Sequence, residues 1–226
     1  AEAQHEVWGA KPDVFVCGVL IPGCGKAEPV DGGWRLSGRW PFASGIMSAE
    51  WCILSAFEQN EGHQARMFVV PCEALNVLDT WHTMGLNGTG SNDVVIEEAF
   101  VPNEHTCLLY EAAATDGALY EPRTVTATGW TPFAAMGLGI ARGAMDTFVR
   151  LATSSGSTTS PTLMRDRTAV QTVVGETEAI ISGARAYALD AVGAMWESAC
   201  RGDLDPGPQV LQARLAITHA VRESVR

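Results

Sequence analysis

The sequence predicts an α+β chain with its strands first and its helices after, and three observations carry that reading. Six short runs rich in β-branched and aromatic residues lie between Val14 and Val101, separated by turn chemistry. After Pro102 the pattern changes to helical periodicity. A long amphipathic stretch then runs from about Thr162 to Cys200 and meets a breaker at Gly202.

The chain opens with Ala1-Glu2-Ala3-Gln4-His5-Glu6-Val7-Trp8, which reads as the tail of a helix. The expected strands are Val14 to Ile21, Trp34 to Phe42, Trp51 to Phe57, Ala65 to Cys72, Val77 to Met84 and Val94 to Val101. Six strands at this spacing predict a small barrel or sandwich. Asp31-Gly32-Gly33 is the clearest hairpin turn, because glycine adopts positive φ without a steric penalty. In the long helical stretch, Val170, Val173, Val174, Ile180, Ile181, Ala184, Ala188, Ala191, Val192 and Met195 follow the spacing of one buried stripe. A helix well beyond ~25 residues outside a membrane belongs to a bundle or coiled coil. The corner Asp205-Pro206-Gly207-Pro208 breaks it, and a further helix starts near Gln209 and is still periodic at Arg226. These ends predict an internal portion of a longer protein.

Composition sets the class. Across 226 residues, 15 Lys+Arg against 26 Asp+Glu give a net charge of -11, which disfavours nucleic acid and anionic membrane surfaces. The longest apolar runs, such as Ala134 to Ala141, fall far short of the ~20 residues needed to cross a bilayer. A cytoplasmic location is expected. The six cysteines, Cys17, Cys24, Cys52, Cys72, Cys107 and Cys200, are scattered and carry no metal-ligand spacing, so buried thiols are expected and no metal site is assigned.

Gly137-Leu138-Gly139-Ile140-Ala141-Arg142-Gly143 mimics a dinucleotide loop but lies in a helical stretch with no βαβ unit around it. Its glycines are expected to let helices approach closely. Asp93 and Glu97-Glu98 sit beside or in a strand, where polar residues face water, and His82 reads as a hydrogen-bonded structural histidine. Two segments resist such readings. In Gly38-Arg39-Trp40-Pro41-Phe42-Ala43-Ser44-Gly45 a strand ends in large aromatics, a hydroxyl and a glycine. In Trp81-His82-Thr83-Met84-Gly85-Leu86-Asn87-Gly88-Thr89-Gly90-Ser91-Asn92-Asp93, three glycines and small hydroxyls make a tight loop that suits an anion or a sharp turn equally well.

Together these two segments resemble the acyl-CoA dehydrogenase superfamily, and more closely its two-component flavin-dependent monooxygenases, the group D aromatic hydroxylases. The second segment, continuing through Val94-Val95-Ile96-Glu97-Glu98-Ala99-Phe100-Val101-Pro102, carries the more specific likeness. Val19-Leu20-Ile21-Pro22-Gly23 sits where the dehydrogenases carry a Thr-Glu and Ser-Asp motif that this chain lacks, which argues against a dehydrogenase. The resemblance implies an acyl-CoA dehydrogenase-like fold: residues 1–11 as the end of an otherwise absent N-terminal helical domain, 12–110 as a middle β domain, 111–123 as a linker, and 124–226 as part of a C-terminal up-and-down bundle.

By the same resemblance, Ser44 offers its hydroxyl and backbone near flavin N5 as a donor, Phe42 and Trp40 pack around the ring, and Val19 touches the flavin edge. The implied activity is hydroxylation of an aromatic or heteroaromatic small molecule through a flavin C4a-hydroperoxide. FMN, reduced by a separate reductase, is the expected cofactor, with FAD as the alternative, and a homotetramer is the expected assembly. Ser48 and Asn87 stand where phenol hydroxylases of this group carry histidine and arginine, which points beyond simple phenols. The catalytic base of such enzymes lies outside this chain. The rival readings are an FAD-dependent acyl-CoA dehydrogenase, an amine N-oxygenase and a non-catalytic fragment of the fold.

Overall fold

Alternating burial builds the first half of the chain. Cys52, Leu54 and Ala56 face inward along β4 (Trp51–Glu58), as Trp34 and Leu36 do along β3 (Gly33–Trp40). The computed structural model describes residues 2–9, 11–109, 117–121, 124–125, 128–154, 163–203 and 207–226. Its chain divides into two units, residues 1–111 and 112–226. The first unit holds helix α1 (Glu2–Trp8) and the strands β1 (Val16–Val19), β2 (Gly25–Val30), β5 (Ala65–Pro71), β6 (Asn76–Leu78), β7 (Asp93–Pro102) and β8 (Thr106–Leu108) beside β3 and β4. These eight strands form one sheet in the order β6-β7-β3-β2-β4-β5-β8, with β1 paired to β4.

An interruption in this sheet places the strand end that matters most. β1 and β2 both run parallel to β4 but on different stretches of it: Val16 to Val19 lie beside Trp51 to Leu54, and Lys26 and Ala27 beside Phe57 and Glu58. Between them the 3₁₀ turn Pro22–Cys24 breaks the ladder. Side chains bridge the gap. The Trp40 indole N–H donates to the Ser55 carbonyl at 2.7 Å, and the Ser55 hydroxyl donates to the Val19 carbonyl at 3.3 Å. Trp40 is completely buried, and its ring fills the space where Gly25 lacks a side chain: a Cβ there would stand 2.3 Å from Trp40 Cζ2. The register shift between Leu36 and Gly38 is a bulge that re-aims the end of β3, and Gly38 serves it with a φ of 153° and its Cα face against the Cys24 carbonyl.

In the second unit, α2 (Thr131–Ser154), α3 (Thr168–Arg201) and α4 (Pro208–Ser224) pack through small residues, with Ala134, Ala188, Ile217 and Ala220 forming a shared cluster. A mostly apolar cavity of about 680 Å³ is lined by Leu138, Ile181, Leu189, Val192 and Ile217 together with Arg142 and Arg185. Helix α3 ends as its sequence dictates. Gly202, at φ 74°, donates to the Ala199 carbonyl at 3.1 Å and Asp203 to the Ser198 carbonyl at 3.1 Å, the paired bonds of a Schellman cap. The Arg142 guanidinium grips Glu178 through two bonds of 2.6 and 2.7 Å, joining α2 to α3. No described helix is long and apolar enough to cross a membrane.

Several elements differ from the sequence expectation. The run Val77 to Met84 is strand only over Asn76–Leu78, because the Asn92 side-chain oxygen accepts the Thr80 and Trp81 amides at 3.0 Å each and turns that stretch into a loop. β2 and β8 were not expected, and the first strand is shorter than Val14 to Ile21. The long helix starts at Thr168 rather than Thr162, after the 3₁₀ turn Met164–Asp166. Of the glycines on α2, only Gly137 meets another helix, where a Cβ would lie 2.6 Å from Ser224 Oγ; Gly139 and Gly143 face open space because they point to other sides of the helix. The cysteines are not uniformly interior: Cys17 and Cys52 are buried, Cys24 and Cys72 half-buried, and Cys107 and Cys200 exposed. The corner residues 204–206 and most of the linker 111–123 lie outside the described residues.

Replacing Trp40 with Phe strands the buried Ser55 carbonyl and opens a gap beside Gly25. We expect a loss of about 2–3 kcal/mol, read as a lower denaturation midpoint at unchanged m-value. The Arg142 guanidinium, helped by the Ser182 hydroxyl, holds the Glu178 carboxyl down at about 2. A depressed carboxylate stabilises the fold above its unfolded value of 4.5 and loses that contribution as pH falls through about 2. The stability difference between the native protein and Glu178→Gln should therefore shrink through that window in acid titrations.

Candidate functional site

The site begins where β3 stops. Pro41 has no N–H to give the sheet, so pairing ends at Trp40 and the chain turns outward. Phe42 takes a left-handed φ of 63°, and the Ser44 amide donates to the Phe42 carbonyl at 2.8 Å, closing a three-residue turn. The loop after Trp81 supplies the facing edge. There Leu86 is also left-handed, at φ 57°, and leads into the 3₁₀ turn Asn87–Thr89. Two backbone bonds join the segments: Ala43 N–H to the Asn92 carbonyl at 3.0 Å and Gly45 N–H to the Thr89 carbonyl at 2.8 Å. Behind them Asp93 accepts from Arg39 at 2.7 Å and from the Thr80 hydroxyl at 3.1 Å, which fixes the base of the loop.

The resulting ledge carries a line of hydroxyls within an apolar rim. Ser44 Oγ lies 2.8 Å from Ser91 Oγ, Ser91 Oγ lies 2.7 Å from Thr89 Oγ1, and Thr89 Oγ1 lies 2.8 Å from the Leu86 carbonyl. Ser91, in the middle of the line, is buried, and Ser44 at its end is exposed. Around it Phe42, Met47, Met84 and Leu86 present large apolar side chains to the outside. Phe42 stands edge-to-face with Trp81 at 6.2 Å between ring centroids, and the Trp81 indole N–H is held by the Leu86 carbonyl at 3.0 Å. Two strained non-glycine residues bracket this surface, as is common where geometry serves function.

Of the four residues expected at the ring, the structure puts two on the surface and two behind it. Phe42 and Ser44 are exposed on the ledge. Trp40 and Val19 are buried, Trp40 completely, and their hydrogen bonds run to Ser55, behind the ledge. The Ser44 amide is taken by Phe42, so only its hydroxyl is presented. Ser91, Thr89 and Asn92 were not singled out individually, although Asn92 organises the loop and Ser91 continues the hydroxyl line. The amides of Thr89, Gly90 and Asn92 donate to carbonyls within the loop, as a sharp turn requires. His82 is exposed, 3.5 Å from Asp79, and has no interior role.

The fold around this ledge recurs in a solved structure. XiaF from a Streptomyces species, in complex with FADH2 and glycerol, superposes with a TM-score of 0.84 at 27% identity over 99% of this chain and 59% of that one. Residues 131–226 match the acyl-CoA dehydrogenase C-terminal domain model. Over that stretch the chain is similar to the acyl-CoA dehydrogenase superfamily. Among curated proteins it resembles flavin-dependent monooxygenases. It is 33% identical over 225 residues to indole-3-acetate monooxygenase of Pseudomonas putida, covering 98% of this chain and 57% of the relative. It is 37% identical over 160 residues to the oxygenase component of an FADH2-dependent resorcinol hydroxylase of a Rhizobium species, covering 66% of this chain and 39% of the relative. The chain thus spans little more than half the length of the first of these relatives.

The strain at Leu86 can be measured. Leu86 is 76% exposed and its backbone partners do not depend on its side chain. Leu86→Gly should raise stability by about 1 kcal/mol by removing the left-handed penalty, seen as a higher thermal midpoint.

Proposed function

We propose that the ledge Phe42 to Gly45 receives a reduced flavin and that the protein is the oxygenase component of a two-component monooxygenase acting on an aromatic or heteroaromatic small molecule. The observation that carries this is an exposed hydroxyl, Ser44, on a ledge with an apolar rim whose backbone is fixed by two interloop bonds. The residues suit a flat tricyclic ring. Phe42, backed edge-on by Trp81, offers an aromatic wall. Met47, Met84 and Leu86 offer apolar cover that excludes water once a ring is seated. Ser44 would supply a polar contact to the ring nitrogen N5. When bound, reduced flavin supplies the electrons that activate O2.

The names of both the Streptomyces structure and the Rhizobium hydroxylase contain FADH2, which supports FAD over the FMN expected from sequence. The indole and resorcinol named in the relatives support an aromatic substrate. A separate flavin reductase follows from the two-component reading; a cytoplasmic setting belongs to the same proposal, and the resemblance adds a homotetramer, which light scattering reads directly.

The decisive experiment supplies reduced flavin and O2 to the protein and follows peroxide released against O2 consumed. Ser44→Ala should raise the fraction released as peroxide several-fold and weaken binding of reduced flavin by about five- to tenfold, the worth of one hydrogen bond. Unchanged release and unchanged binding would remove Ser44 from the site. Bleaching of the bound oxidised flavin by a saturated acyl-CoA would instead establish a dehydrogenase.

A further inference from the structure

The hydroxyl line at the ledge has one consistent proton order. Thr89 Oγ1 lies 2.8 Å from the Leu86 carbonyl, which has no proton to give, so Thr89 donates there. With its only proton used, Thr89 Oγ1 accepts across the 2.7 Å contact to Ser91, and Ser91 donates. Ser91 Oγ then accepts across the 2.8 Å contact to Ser44, and Ser44 donates inward. The other acceptor near Ser44, the Phe42 carbonyl at 3.4 Å, also belongs to the ledge itself. Ser91 is 4% exposed, so solvent does not scramble the order from within.

We propose that Thr89 and Ser91 are positioning residues that hold the Ser44 hydroxyl as a hydrogen-bond acceptor toward the ligand. This rests on the flavin reading above. It makes Ser44 the reverse of the donor expected from sequence. An acceptor there pairs with a flavin that carries N5–H, the reduced form, and meets only lone pairs on the N5 of the oxidised ring. The preference is thereby set by two residues that do not touch the ligand, through the direction of one proton.

Thr89→Val tests this with Ser44 left in place. Without Thr89 Oγ1, the Ser91 proton turns to Ser44, and the Ser44 proton, left inside the ledge with only the 3.4 Å contact to the Phe42 carbonyl, turns outward to a ligand lone pair. Ser91→Ala frees the Ser44 proton by a second route and alters a single small side chain. Anaerobic titrations of the full-length protein with oxidised and reduced FAD and FMN give the ratio of the two dissociation constants, and spectroelectrochemistry of the bound flavin reads the same ratio independently. We expect the native protein to bind the reduced form more tightly, and each variant to lower the oxidised-to-reduced ratio about five- to tenfold. Thr89→Val should add nothing in a Ser44→Ala background, because the coupling runs through Ser44. A purely structural role for Thr89 and Ser91 would weaken both forms alike and leave the ratio unchanged, and that result overturns the proposal. If Thr89→Val does not fold, the Ser91→Ala ratio decides alone. Failure of the native protein to bind either flavin form refutes the flavin reading itself, a result distinct from an unchanged ratio.

Discussion

The hydrogen bond from the Trp40 indole to the Ser55 carbonyl is the constraint on which the rest of the first unit turns. A central strand flanked by an interrupted neighbour would otherwise leave backbone acceptors buried and unmatched, a loss comparable to the net worth of a hydrogen bond or more. The indole supplies the missing donor, and its bulk fills the space left by Gly25. Pro41, directly after that side chain, ends β3. Everything exposed beyond it, from Pro41 to Gly45, inherits its position from that buried ring.

A second layer of control lies in the loop after Trp81. Asn92 gathers the Thr80 and Trp81 amides with one side-chain oxygen, while its own carbonyl receives Ala43. A short polar residue thereby does for two strand ends what a further ladder bond would do elsewhere. Thr89 contributes similarly, capping the left-handed turn at Leu86 and directing the hydroxyls that lead out to Ser44. The polar interior of this region is small but continuous, and its geometry leaves little freedom in the surface it supports.

Much of this was legible in the sequence, for reasons that differ by element. β4 and β7 declare themselves because β-branched and aromatic residues alternate with partners facing the other side. α3 is visible from its stripe and its terminal glycine, which the Schellman cap at Gly202 requires. β2 is hidden by Lys26, Glu28 and Pro29 and becomes a strand only because β3 pairs with it across Asp31-Gly32. At the site, the aromatic strand end was visible but the facing of its members was not. A strict period of two puts Phe42 on the same side as Trp40; Pro41 and the positive φ at Phe42 separate them, and neither effect is additive along a strand. The hydroxyl line was unreadable for a simpler reason: Ser44 and Ser91 are 47 residues apart and meet only through the fold.

The two bonds that join the ledge to its facing loop, Ala43 to Asn92 and Gly45 to Thr89, are made entirely by main-chain atoms. Main-chain bonds are indifferent to which side chains flank them. Met47, Met84 and Leu86 can therefore be exchanged without moving the hydroxyl at Ser44, so that the rim of such a surface is free to drift while its polar point stays in place.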